Sequence, residues 1–377
     1  MPIRVFCSRS LNERACGLWI CLCIERSRYG RINICRCIKT YNMDKSQTII
    51  LKGVAILMML YLHLFDTLSV VDTLCENYIH IGNLPLSYIL SRCAHPVVMY
   101  VILGGYGLYR KYSLDISNYS ILSSIRRVAR LYIHYWVVLF ISLPIASLLH
   151  PLKYPGSLLD FVLNGIGISH SYNLTMWFLF PYALLIICSK FVFRFVDRMP
   201  SLSVLMFGSL YLISYYLCWE YGEFLRGKVC LYNVVLMLNF LLPFIIGVIF
   251  AKYHIIDNIK RAFDGKSVIL IILLLPVIVL RACTDFDLVN ILYAPILVLL
   301  LAVIEFPKGL KTLLGTLGKR STSMWFVHAY FCYYLFRDFI YGFRYPLIIF
   351  VVLVAVSYMV SIVVDYINQR VQRTIFA

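Results

Sequence analysis

The chain has 377 residues, 61% of them hydrophobic and 14% charged, with a formal net charge of +17 and a mean hydropathy of +0.82. Soluble globular domains carry about 25% charged residues, which excludes a water-soluble domain as the body of this molecule. The basic residues are dispersed over loops and not gathered on one face, so nucleic acid is excluded as a partner. The expected fold class is all-α, a polytopic transmembrane bundle of about ten helices in a lipid bilayer.

Residues 1–42 stand outside that pattern. They hold six of the thirteen cysteines, and eight basic residues against Glu13 and Glu25. The apolar piece 17–24 is too short to span a bilayer and lacks the small-residue cleavage site of a secretory signal. Cys21-Leu22-Cys23 and Cys35-Arg36-Cys37 lack the two-residue spacing that zinc sites favour. The regular pattern begins directly after Met43, so 1–42 is expected to be a non-native upstream extension and 43–377 the membrane domain. A redox or metal-binding tail is the minor alternative. The other seven cysteines are scattered in apolar runs as small hydrophobes, and no metal site is indicated.

Ten segments are predicted helical: 47–66, 90–109, 131–149, 176–196, 201–219, 229–251, 267–281, 288–305, 322–341 and 345–366. The seventh is short and carries Pro276, which predicts a tilt or a break. With a cytoplasmic start, the inner segments hold 19 Lys and Arg and the outer ones 7. That bias alternates across every boundary and predicts two cytoplasmic ends.

The first helix carries Lys52 and His63 eleven residues apart, almost a whole number of turns. Both side chains therefore share one face, roughly 16 Å apart along the axis. An ionisable residue inside a bilayer costs about 2.5–3.5 kcal/mol on insertion scales and usually faces a protein interior with a role to play. Asp66 lies one turn further out, where a carboxylate would hold the imidazole's tautomer. The bland alternative for His63 is a helix contact bonded to a carbonyl.

In the second helix, Gly104, Gly105 and Gly107 allow close helix approach or leave room for a cofactor tail. Arg126, Arg127 and Arg130 open the third helix within one turn, as guanidinium forks for a phosphate-rich ligand or as an ordinary inner-rim orientation signal. Trp177-Phe178-Leu179 opens the fourth, and an interfacial aromatic belt explains it by default. Leu317-Gly318-Lys319-Arg320-Ser321 precedes the ninth, which carries His328, a second candidate or a structural histidine. Walker loops, Gly-x-Ser-x-Gly elbows and His-Glu-x-x-His motifs are absent from the sequence.

In order and spacing these stretches resemble the acyltransferase-3 family of bacterial integral-membrane acyltransferases, especially the single-domain sugar O-acetyltransferases. The likeness runs from about 45 to 366 and rests on Leu51 to His63, Gly104-Gly105-Tyr106, the Arg126/Arg127/Arg130 cluster, Trp177-Phe178-Leu179, and Leu317 to His328. Lys52 stands where much of the family has arginine, keeping the charge but losing the bidentate fork. His134 stands where proline is common.

The resemblance implies transfer of an acyl group, usually acetyl, from cytoplasmic acetyl-CoA to a hydroxyl of a surface glycan or its lipid-linked precursor, at the bacterial inner membrane. His63 is then expected as general base or acyl carrier, with Lys52 and Asp66 as the other catalytic candidates. Arg126, Arg127 and Arg130 would bind the CoA phosphates. Acceptor contacts are expected from His170 and Trp177, in and beside the outer loop 150–176, and from His328. A transporter or flippase of a lipid-linked glycan is the competing class, and would want polar groups lining a continuous path through several helices. A catalytically silent membrane partner is a third.

Overall fold

The computed structural model describes residues 24–26, 32–34, 43, 45–284 and 286–376. The expected upstream extension lies outside the described residues, apart from β1 (Ile24–Arg26) and β2 (Ile32–Ile34), which pair antiparallel. From residue 45 the chain is almost entirely helical.

The first quarter holds α1 (Lys45–Phe65) and α2 (Leu68–Leu74), then a small hairpin of β3 (His80–Ile81) and β4 (Leu84–Pro85). α3 (Leu86–Arg92) leads into α4 (Pro96–Leu114). α5 (Ile121–Leu149) starts at a capping box of Ser120 and Ser123, whose hydroxyls accept from each other's backbone N–H groups. After α6 (Leu158–Gly165), a 3₁₀ turn (Leu174–Phe178) runs into α7 (Leu179–Arg198).

The second half begins with α8 (Pro200–Glu220), α9 (Gly222–Gly227) and α10 (Val229–Lys252). α11 (Ile255–Ala262), α12 (Ser267–Ala282), α13 (Asn290–Val303) and α14 (Lys308–Lys319) follow. α15 (Ser321–Ala329) passes through a π turn (Tyr330–Tyr334) to α16 (Arg337–Tyr341), and α17 (Pro346–Ile375) ends the fold.

Every predicted segment is helical over most of its length. Among the described residues, seven helical stretches are long and apolar enough to cross a membrane, and the α11–α12 pair, bent by 118°, makes an eighth if it counts as one span. The bend falls at 263–266, where Gly265 takes φ +71°, and not at Pro276, which stays inside α12. α13 has 14 residues, about 21 Å of helix, short of a hydrocarbon core of about 30 Å. The predicted ninth segment is interrupted by the π turn.

α1 is the axis of the bundle. Leu51, Ala55, Ile56, Met59 and Leu60 are each at most 1% exposed, and α1 packs against α14, α4, α15 and α17. Lipid is as apolar as these side chains, so helices in a bilayer gain from tight packing more than from burial itself. Glycine supplies that tightness at two seams. A β-carbon added at Gly53 would fall on the Leu314 carbonyl, and one at Gly318 on the Ile49 carbonyl. Gly105 meets the Phe244 carbonyl and Gly247 the Ile102 carbonyl in the same way. α1–α14 and α4–α10 therefore touch backbone to backbone.

Candidate active site

The last turn of α1 and the last turn of α15 bring two histidines together. The rings of His63 and His328 stack with centroids 5.2 Å apart and planes inclined by 28°. His63 Nδ1 lies 3.0 Å from the Tyr333 hydroxyl. His328 is 0% exposed. Its Nδ1 lies 2.7 Å from the Trp325 carbonyl and 3.2 Å from that of Met324. Carbonyl oxygens only accept, so Nδ1 carries the proton and the neutral ring keeps its lone pair on Nε2. That Nε2 is buried and has no hydrogen-bond partner. A buried polar atom left alone costs about 1–3 kcal/mol, which makes it a place to look for chemistry.

The π turn explains how Tyr333 reaches this pair. Five residues along an α-helix point about 140° away from the start. Closing the turn at i→i+5, as the Leu335 N–H does on the Tyr330 carbonyl at 2.8 Å, shifts the later residues round toward the His328 face. The loop between α6 and the 3₁₀ turn, together with the start of that turn, docks on the same stretch. The Asn173 amide donates to the Phe326 carbonyl at 3.2 Å, and the Leu174 N–H donates to the Tyr334 hydroxyl at 2.8 Å.

Further along α1, Lys52 borders a cavity of about 360 Å³ between α1, α4, α5, α7 and α15. Tyr100, Gly104, Tyr182, Ser321 and Trp325 are among its lining residues. Volumes near this take a small ligand or one arm of a larger one. The glycine run divides between two settings on neighbouring residues. Gly105 is the α4–α10 contact, whereas Gly104 and Gly107 line the cavity, and a β-carbon at Gly104 would strike the Tyr182 hydroxyl. Trp325 joins the two regions: its side chain lines the cavity and its carbonyl accepts from His328.

The three arginines part company. Arg127 lies one turn from the cavity-lining Leu131, with its guanidinium 4.6 Å over the Tyr119 ring and Nη1 buried without a partner. Arg130 lies 5.1 Å over the Phe376 ring and gives its carbonyl to Gln372. Arg126 is exposed.

A family model described as an acyltransferase domain matches residues 47–366. The chain belongs to the acyltransferase-3 family. Neither the search of curated proteins nor that of solved structures returned a match. Membership and the apolar helices together make this a membrane acyltransferase, with an acyl donor and an acceptor as its substrates.

Within this acyltransferase, Asp66 is not placed as expected. α1 ends at Phe65, so the helical spacing to His63 stops short; Asp66 is exposed and accepts from the Thr67 hydroxyl at 3.0 Å. Tyr333 holds the position beside His63 that the carboxylate was expected to fill. Trp177 packs inward with its ring 5.8 Å from that of Phe240, unlike a lipid-facing belt residue. His170 sits in the loop between α6 and the 3₁₀ turn with Nδ1 buried and unpartnered, and burial holds its imidazole below the ordinary histidine value. Among the described residues no group of three or more His, Cys, Asp or Glu is arranged to hold a metal ion.

The sequence reading missed Tyr333 and an ionic chain around Asp365. Ser323 donates to Asp365 Oδ1, Arg320 Nη1 donates to Oδ2 at 2.7 Å, and His134 Nε2 lies 2.7 Å from the Ser323 hydroxyl. An acidic residue inside an apolar helix was the available signal for Asp365. Nothing in the sequence pairs it with α5.

Proposed function

We propose that this acyltransferase moves an acyl group, most simply acetyl, from acyl-CoA to a hydroxyl of a cell-surface glycan or its lipid-linked precursor. The observation that carries the reading is the stacked His63–His328 pair, with one basic nitrogen buried and free of any partner. In the reaction the acceptor oxygen forms a bond to the thioester carbonyl carbon and the carbon–sulfur bond breaks. His63 takes the hydroxyl proton and returns it to the departing sulfur, so the products are an ester and the free CoA thiol. Two imidazolium charges at this separation would repel by about 3 kcal/mol at an effective dielectric of 20, so the pair carries at most one positive charge at a time. Tyr333 orients His63.

The donor approaches from the cytoplasmic side in this proposal. The arginine cluster, Arg127 above all, receives its phosphates, and the cavity beside Lys52 receives the arm that carries the thioester. The acceptor meets the histidines from the outer loop, where His170 is set, with Trp177 behind it. Both chain ends are cytoplasmic in this proposal, as the excess of Lys and Arg on the inner segments supports, and the membrane is the bacterial inner membrane, as membership of the family suggests. The test is direct: membranes holding the full chain are given acetyl-labelled acetyl-CoA and surface glycan. Transfer of label with release of one CoA thiol per ester is the expected result. Movement of a lipid-linked glycan across the membrane without label transfer would replace this reading with that of a transporter.

A further inference from the structure

His134 has the residue type of a catalytic base and the surroundings of something else. It projects from α5 toward Ser323 at the start of α15 and Asp365 of α17, with its ring edge-on to Phe326 at 5.4 Å. The hydrogen-bond directions of the group can be fixed from its chemistry. Arg320 Nη1 donates to Asp365 Oδ2 at 2.7 Å, and a carboxylate oxygen facing a guanidinium accepts. The single hydroxyl hydrogen of Ser323 is therefore committed to Asp365 Oδ1. The Ser323 oxygen must then accept, and the group facing it at 2.7 Å is His134 Nε2, which must carry a hydrogen. The chain runs one way, from His134 to Ser323 to Asp365, with Arg320 closing it from the other side. Arg320 is also anchored, with its guanidinium 5.6 Å over the Tyr358 ring of α17.

This chain brackets two residues of the cavity wall. Ser321 and Thr322 line the cavity, Arg320 and Ser323 flank them, and Trp325 follows. α15 thus presents one face to the cavity while the opposite side of the same turn is tied to α5 and α17. His328 lies at the other end of α15, more than one turn away. We infer that the His134–Ser323–Asp365–Arg320 chain positions the cavity wall for the acyl donor, and that His134 serves in it purely as an N–H donor. The inference rests on the reading of the cavity as the donor's site.

The consequence is a split between donor affinity and turnover. A wall that shifts weakens donor binding, whereas chemistry at the His63–His328 pair proceeds once the donor is seated. In membranes holding the full chain, His134→Leu and Asp365→Asn are expected to raise the half-saturating acetyl-CoA concentration about tenfold, with the maximal rate within about threefold of the unaltered protein. His134→Gln supplies an N–H to the Ser323 oxygen and should rescue, bringing half-saturation back to within about twofold. Glutamine as damaging as leucine would overturn the inference, because the ring's basicity would then matter. A fall in maximal rate at unchanged half-saturation would overturn it too, by moving the effect to the histidine pair. If the unaltered chain transfers nothing from acetyl-CoA, the donor reading fails separately. The chain itself is then judged by thermal melting in detergent, where His134→Gln must match the unaltered protein and His134→Leu must fall below it. Equal melting of those two variants would count against the chain.

Discussion

The molecule holds two histidine clusters at the two ends of α15, and they differ in one respect. Around His134 the polar groups form a closed hydrogen-bonded chain ending on an Arg–Asp pair. Around His63 and His328 the chain is open: His328 Nε2 is buried with no partner. A satisfied buried network fixes structure, because breaking it strands a polar group. An unsatisfied one is held in place by its surroundings and can act on something that arrives. On the proposed reading, the same side chain is a strut in one cluster and a reagent in the other. Hydrogen-bond completeness separates them where residue type does not.

The sharpest way to break that comparison is to treat both clusters alike. General-base assistance is typically worth about 10²–10⁴ in rate. His63→Ala should reduce acyl transfer by at least about a hundredfold while insertion and melting persist, and His63→Gln should be equally inactive, since an amide cannot take the proton. Glutamine is expected to rescue at 134 and to fail at 63. Retained activity in His63→Gln would make His63 a structural contact and leave His328 as the base.

A middle-sized effect is expected at Arg127, whose Nη1 is a buried donor left open one helical turn from the cavity-lining Leu131. Arg127→Ala should raise half-saturating acetyl-CoA about tenfold with little change in maximal rate, since a phosphate contact serves donor and transition state alike. Arg126 is exposed, and Arg126→Ala should do less. Equal effects at the two positions would turn the cluster back into an orientation signal and remove Arg127 from the open class.

Much of this was legible in the sequence, for physical reasons. Helical periodicity placed Lys52 and His63 on one face of α1, and the structure sets them at the cavity and at the histidine pair. Hydropathy located all ten segments but not their continuity, because apolar content says nothing of where a hydrogen-bond path changes pitch. The π turn after Ala329 is such a change, and it carries Tyr333 to His63. Asp66 was misplaced for the related reason that α1 ends at Phe65, before the spacing is completed. The Asp365 chain joins residues 231 positions apart across three helices, His134 to Asp365, which no local pattern reports.

His170 is the intermediate case and carries the smallest prediction. Like His328 it has a buried nitrogen without a partner, but it sits in the loop between α6 and the 3₁₀ turn and is only half-buried. Burial lowers its proton affinity, so the folded loop favours the neutral ring. Stability from that preference is fully present above the unfolded value of about 6.5 and is lost as pH falls from there through the depressed folded value. Melting of the detergent-solubilised chain between pH 7.5 and 5.5 should therefore drop more for the unaltered protein than for His170→Gln, which has no proton to gain. The difference between the two slopes is expected to be about 1 °C over that interval. Carboxylates titrate equally in both proteins and cancel in the comparison. Identical slopes would mean that the His170 ring is solvated in the folded loop, and would place it with neither cluster.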